Sequence, residues 1–106
     1  MTGAYGVDAM PREKVVYKLT FPNGRIYIGL DLTNTLTYFG SPSAIEQIRT
    51  DLGPEVCADL TIRKTILWSS TTATDAEARA MEVRLIREHR SNDPAIGYNR
   101  LPRFVD

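Results

Sequence analysis

Two tyrosines, Tyr17 and Tyr27, flank the turn sequence FPNGR, and Gly29 follows the second of them. A phenol hydroxyl can position water or a phosphate oxygen. With an ordinary pKa of about 10, it takes up a proton near neutrality only beside a cation or a metal-bound water. A carboxylate further along the chain adds a second kind of chemistry. Glu82 has Ala78, Arg79, Leu85 and Ile86 at spacings of three and four, so on a helix it lies at the edge of an apolar stripe. Carboxylates are uncommon there unless a partner or a metal holds them. Each feature also has a plain structural account: aromatic packing with a glycine that eases strand twist, and a border carboxylate paired with a nearby arginine.

Whether the two phenols meet depends on the hairpin that carries them. Residues 14–31 are rich in Val, Ile, Tyr and Thr around FPNGR, which predicts two strands and a turn. A two-residue turn at Asn23-Gly24 would put Tyr17 and Tyr27 on opposite faces. Pro22, however, favours the second position of a type I turn, with Gly24 following in the left-handed conformation as a bulge. That three-residue loop pairs Phe21 with Arg25, Leu19 with Tyr27 and Tyr17 with Gly29. Side chains alternate with a period of two, so the tyrosines then share a face. Gly29, without a side chain, would leave open space beside the Tyr17 phenol.

The remaining elements follow from periodicity and punctuation. Residues 32–41 suit a connecting loop. Ser41 or Ser43 could cap a helix over about 43–52, where Ala44, Ile45, Ile48 and Leu52 recur at helical spacing, and Gly53-Pro54 stops it. Residues 60–69 read as a third strand. Thr74, with Glu77 three residues on, forms a capping-box pattern and opens a second helix. Residues 1–11 read as a loose leader, and 12–106 as one domain of β-β-α-β-α order, an α+β fold with a small three-stranded sheet of antiparallel type.

Composition narrows the function. Thirteen basic and thirteen acidic residues cancel, so any nucleic-acid contact must rest on local patches. The single cysteine rules out an intrachain disulfide and a cysteine-based zinc site. No apolar run approaches a membrane span and no signal peptide is evident, which points to no membrane partner and a reducing cytoplasm.

The stretches VVY (15–17) and YIG (27–29) resemble the two signature motifs of the GIY-YIG nuclease superfamily, and KLTFPNGRI between them is similar to that family's hairpin. YFGSPSAIEQIRTDLG (38–53) resembles the YYGSG helix segment of phage and mobile-element members. EVRLI (82–86) is similar to the family's glutamate-bearing helix, and GYN (97–99) to its closing motif. The match runs over about residues 14–100. The resemblance implies a small endonuclease that hydrolyses DNA phosphodiesters on one Mg²⁺ or Mn²⁺ ion. Tyr17 would be general base or water-positioning group, Tyr27 would hydrogen-bond the phosphate or the attacking water, and Glu82 would be the metal ligand. Asn99 would contact the scissile phosphate or hold Glu82, while Gly24 and Gly29 shape the hairpin. One carboxylate, completed by water and phosphate oxygen, is an ordinary Mg²⁺ shell.

The chain departs from that pattern in one respect that bears on activity. The family's arginine, followed four residues later by histidine just after YIG, is missing, because residues 30–41 contain no arginine. A phosphodiester transition state needs positive charge beyond one metal and two phenols. Arg49 on the first helix is the first choice to supply it, with Arg25 beside the turn as second. Arg84, Arg87, Arg90, Arg100 and Arg103 concentrate charge near the C-terminal end and could grip phosphates. Fused domains, dimerisation or a partner protein would then supply specificity. The alternative is a catalytically inactive relative that binds nucleic acid or protein.

Overall fold

The computed structural model describes residues 12–105; the leader expected over 1–11 lies outside the described residues. The chain runs β1 (Lys14–Thr20), β2 (Ile26–Asp31), α1 (Ile45–Ala58), β3 (Arg63–Ser70) and α2 (Asp75–His89). The strands form one open antiparallel sheet of order β2-β1-β3, so the fold is α+β as expected. No helix among the described residues is long and apolar enough to cross a membrane.

The hairpin closes as its turn residues dictate. Gly24 has φ +85° and donates its N–H to Phe21 O at 2.8 Å, and Phe21 N–H donates to Arg25 O at 3.0 Å. Asn23 Oδ1 accepts from Arg25 N–H at 3.0 Å. This is the three-residue loop with a left-handed glycine, and it sets the register: Tyr17 pairs with Gly29 and Leu19 with Tyr27. β3 pairs with the other side of β1, with a shift between Val16 and Tyr17 that leaves Tyr17 opposite Ile66.

Each sheet face builds a separate core. Tyr17, Leu19 and Phe21 pack with Ala44, Ile48 and Tyr98 on one side, while Val16 and Ile28 pack with Ile86 of α2 on the other. α2 begins as predicted, with Thr74 Oγ1 accepting from Glu77 N–H and Glu77 Oε1 accepting from Thr74 N–H. α1 differs from expectation at both ends. Neither Ser41 nor Ser43 caps it; Ala44 is the N-cap, without a side-chain hydrogen bond, and Ile45 N–H donates instead to Pro42 O at 3.2 Å. Gly53, at φ +82°, breaks the helix where a stop was expected, but helix resumes at Pro54 and runs to Ala58. Proline has no N–H to leave unpaired in a first turn, so it ends one helical segment and starts the next.

The tail seals the outer edge of β2. Ile26 N–H donates to Ile96 O at 3.2 Å and Tyr98 N–H donates to Ile26 O at 2.9 Å, a short parallel bridge. A Cβ at Gly97 would collide with the backbone of Ser91 and Ile26, so only glycine lets the tail run this close. Ser91, fully buried beneath it, has an Oγ without a hydrogen-bond partner. Leaving a buried hydroxyl unpaired costs on the order of 1–3 kcal/mol. Ser91→Ala should therefore match or exceed wild type in urea denaturation, by up to about 1 kcal/mol, and a loss of that size would reveal a partner for the hydroxyl.

Candidate active site

Tyr17 is only 1% exposed, yet its hydroxyl makes no hydrogen bond to the described residues. The open space expected beside it is filled by the phenol itself. A Cβ at Gly29 would fall on the Tyr17 hydroxyl and ring, and a Cβ at Gly40 would fall on the same hydroxyl. The hydroxyl thus lies in a slot between a glycine of β2 and a glycine of the loop that follows. Tyr38 meets the Tyr17 ring edge-on, with centroids 6.1 Å apart.

Two anchors fold the 32–40 loop over this slot. The buried Asp31 carboxylate accepts from Thr33 N–H at 3.0 Å, Thr33 Oγ1 at 3.1 Å and Thr35 N–H at 2.7 Å. Burial alone would raise the Asp31 carboxyl, but these hydrogen bonds outweigh it and hold the pKa below its ordinary value. From β3, Lys64 Nζ donates to Thr35 O at 3.1 Å and Tyr38 O at 2.7 Å. It also stands 5.0 Å above the Tyr17 ring centroid and 5.6 Å from that of Phe39. Lys64 is thus a cation against the Tyr17 ring. Its pairing opposite Leu19 puts it on the Tyr17 face, a placement that alternation could have given once the β1–β3 register was known. Lys64→Met should cost about 1–2 kcal/mol, because two charge-assisted hydrogen bonds go with it. Amide exchange should then speed up through residues 35–40 and stay unchanged in β1; unchanged exchange in the loop would remove Lys64 as its anchor.

Glu82 projects from α2, whose apolar residues cover the opposite sheet face. It is half-buried and makes no hydrogen bond or ion pair to the described residues. Burial pushes its carboxyl above the usual range, and Arg79 pulls the other way. Tyr27 is raised first by burial and then by the Glu82 charge and Tyr38. Tyr17 is raised further, by burial and then by Tyr27, Tyr38, Asp31 and Glu82. The Glu82 charge thus acts on both phenols, and least of the named influences on Tyr17, while no hydrogen bond joins the carboxylate to either. Both phenols keep their protons at neutral pH and can donate hydrogen bonds. Of the two roles implied for Tyr17, positioning water needs nothing further, whereas abstracting a proton needs a metal ion or cation to offset the raised pKa.

Among the described residues, no group of three or more His, Cys, Asp or Glu could hold a metal together. Glu82 suits a hard cation for a different reason: it is a half-buried carboxylate with no hydrogen bond or ion pair to the described residues, and the nearby Arg79 charge only partly offsets its burial. A Mg²⁺ ion sharing one carboxylate, water and phosphate oxygen fits that donor set.

Other expected site residues go elsewhere. The Asn99 amide is engaged by β2 and not by Glu82: Nδ2 donates to Ile28 O and Oδ1 accepts from Ile28 N–H, both at 2.8 Å. It stands in for a peptide group at the strand edge. Arg49 is exposed on α1 and has no hydrogen bond or ion pair that brings its side chain to the tyrosines. Arg25 Nη1 donates to Pro94 O and its guanidinium lies 5.9 Å from the Tyr98 ring centroid. Arg84 pairs with Glu88 at 2.7 Å on an exposed helix face. Arg87 and Arg100 line cavities near the tail. Tyr98, which sequence reasoning treated only as part of a closing motif, is a core residue: its hydroxyl donates to Asp51 Oδ2 at 2.8 Å and accepts from Asn23 Nδ2 at 2.9 Å. Family models, curated proteins and solved structures were all compared with the chain, and none of them matches it.

Proposed function

We propose that the chain is a GIY-YIG-like, metal-dependent DNA endonuclease. The observation that supports this most is the Tyr17 hydroxyl, unpaired by the described residues and held against Gly29 and Gly40. The reaction adds water across a P–O bond of the backbone and gives a phosphate monoester and an alcohol. Tyr17 Oη orients the attacking water or, with a metal ion beside it, takes its proton, which passes to the leaving oxygen; Tyr27 donates to the phosphate or the attacking water. Lys64 uses two of its three N–H donors on loop carbonyls, which leaves one for an anionic oxygen. A divalent ion on Glu82 would polarise the phosphate and acidify bound water.

The test is nicking or cleavage of plasmid DNA by purified protein with Mg²⁺ or Mn²⁺, and its loss with a chelator. Tyr17→Phe preserves the ring and removes one hydroxyl, so activity should fall by at least about a hundredfold with little change in stability. Near-wild-type activity in Tyr17→Phe would reduce the tyrosine to packing. One observation favours a second reading, an inactive relative that binds nucleic acid or protein: neither Arg49 nor Arg25 reaches the phenols. A wild type inactive on supercoiled, linear and branched DNA with both metals, yet able to bind DNA, would favour it.

A further inference from the structure

Beyond the tyrosines, the tail of the chain folds back to shape a groove. One cavity of about 620 Å³ is lined by Arg25, Arg100 and Arg103 among others, and a second of about 430 Å³ by Arg87, Arg90 and Arg103. The two share Asn92, Arg103 and Phe104, so they lie side by side along one stretch of surface, taken together as one groove. Five arginines therefore face one groove whose lining holds a single carboxylate, Asp51, and that carboxylate already accepts from Tyr98 and Gln47. In a chain whose charges cancel, this is a strong local concentration.

The groove is also built to keep its shape. Asn92, buried at its junction, donates Nδ2 to Pro102 O at 2.7 Å and so fastens the segment carrying Arg103 and Phe104. Arg90 is fixed twice, by Asp93 Oδ2 at 3.1 Å and by the Phe104 ring at 5.3 Å. Arg25 is oriented by Pro94 O and by the face of Tyr98. A planar guanidinium matches two phosphate oxygens at once, and prior orientation lowers the ordering cost of binding them.

We infer that this groove holds the sugar–phosphate backbone of a DNA strand, as a binding surface separate from the tyrosine site. The inference rests on the proposed DNA-directed function but does not depend on cleavage. Five guanidinium groups along adjoining cavities, two of them held in place, suit a polymer with one phosphate per nucleotide better than the irregular carboxylates of an acidic protein. The amides of its lining, Gln47, Asn92 and Asn99, are already engaged by Asp51, Pro102 and Ile28 and are not free to read bases, so the groove should bind without regard to sequence.

The experiment is fluorescence anisotropy with a labelled DNA single strand of about 20 nucleotides, in chelator, across roughly 50–200 mM salt. Arg100→Gln/Arg103→Gln should weaken binding at least about tenfold at mid-range salt and flatten the salt dependence by about 0.7 per lost phosphate contact. Arg87→Gln, on the helix and away from the tail, should act in the same direction even if the double substitution loosens the tail. Arg84→Gln, outside the groove, should change affinity less than about twofold. Unchanged affinity and salt slope in both groove variants would overturn the proposal, as would a wild type that fails to bind at the lowest salt. Tighter binding of the matching RNA, or displacement of the DNA by polyglutamate at equal charge, would also reject DNA as the occupant. A wild type that binds but does not cleave removes the nuclease and leaves the groove standing; cleavage unaffected by the groove substitutions does the reverse.

Discussion

Glu82→Gln is expected to lower metal-dependent cleavage by at least about a hundredfold while leaving the protein as stable as wild type, or more stable, at neutral pH. The two halves of that result come from the same physical fact. The carboxylate is half-buried, unpaired among the described residues, and pushed above the usual carboxylate range by burial. Below the unfolded value both states are protonated, and Glu82 carries no penalty. As pH rises from there through the raised folded value, the folded protein holds its proton longer than the unfolded one, so stability falls; above that it is level. Glutamine removes the penalty, so the gain of variant over wild type should be absent in acid and reach a plateau near neutrality. Urea denaturation at several pH values reads this directly. Mg²⁺ should raise the melting temperature of wild type and not of Glu82→Gln, a readout independent of activity. A variant that is less stable at neutral pH, yet still responds to Mg²⁺, would show that the carboxylate has a structural partner and no metal.

Gly29→Ala should be the most damaging single methyl in the sheet. The new Cβ would meet the Tyr17 hydroxyl and ring well inside 3.0 Å, closer than real Cβ atoms approach other heavy atoms. Tyr17 has nowhere to retreat, since Gly40 closes the slot on the other side and the ring is buried against Tyr38 and Lys64. Overpacking of this kind costs about 1–3 kcal/mol, and the two-sided confinement places Gly29→Ala at the upper end. Cleavage should be lost with it, because the displaced phenol is the group proposed to orient water. The same substitution made on a Tyr17→Leu background should cost less by more than about 1 kcal/mol. Additive costs would mean that the phenol does not occupy the slot.

The parts of this molecule written in short-range chemistry were legible in its sequence. Pro22 and Gly24 specify the turn, the turn specifies the register, and the register puts Tyr17 across from Gly29. Thr74 and Glu77 announce α2 in the same local way. The features that escaped depend on chain segments meeting from afar. A missing side chain at Gly29 reads as vacancy, but whether a neighbouring ring leans into it is settled by a loop that has no periodicity of its own. Nothing local distinguishes Lys64 from other strand lysines; only the pairing of its strand with β1 brings it to the Tyr17 face. Asn99 reads equally well as a turn residue or a ligand, and nothing local reveals that its amide will replace a peptide group at a strand edge. The arginine expected from the family pattern was sought on a helix, whereas the cation that stands over the Tyr17 ring comes from a strand.

That Asn99 amide has a consequence for the order of folding. Its bonds to Ile28 join residues 71 apart in sequence, and Asn23 and Tyr98 are joined across 75. The β1–β2 hairpin closes over a three-residue loop and can form early, whereas the tail can dock only after most of the chain has been ordered. Contacts made after the rate-limiting step leave the folding rate almost untouched and appear in the unfolding rate instead. The four tail residues along β2 therefore behave as a clasp: they set how long the molecule stays closed, not how quickly it closes.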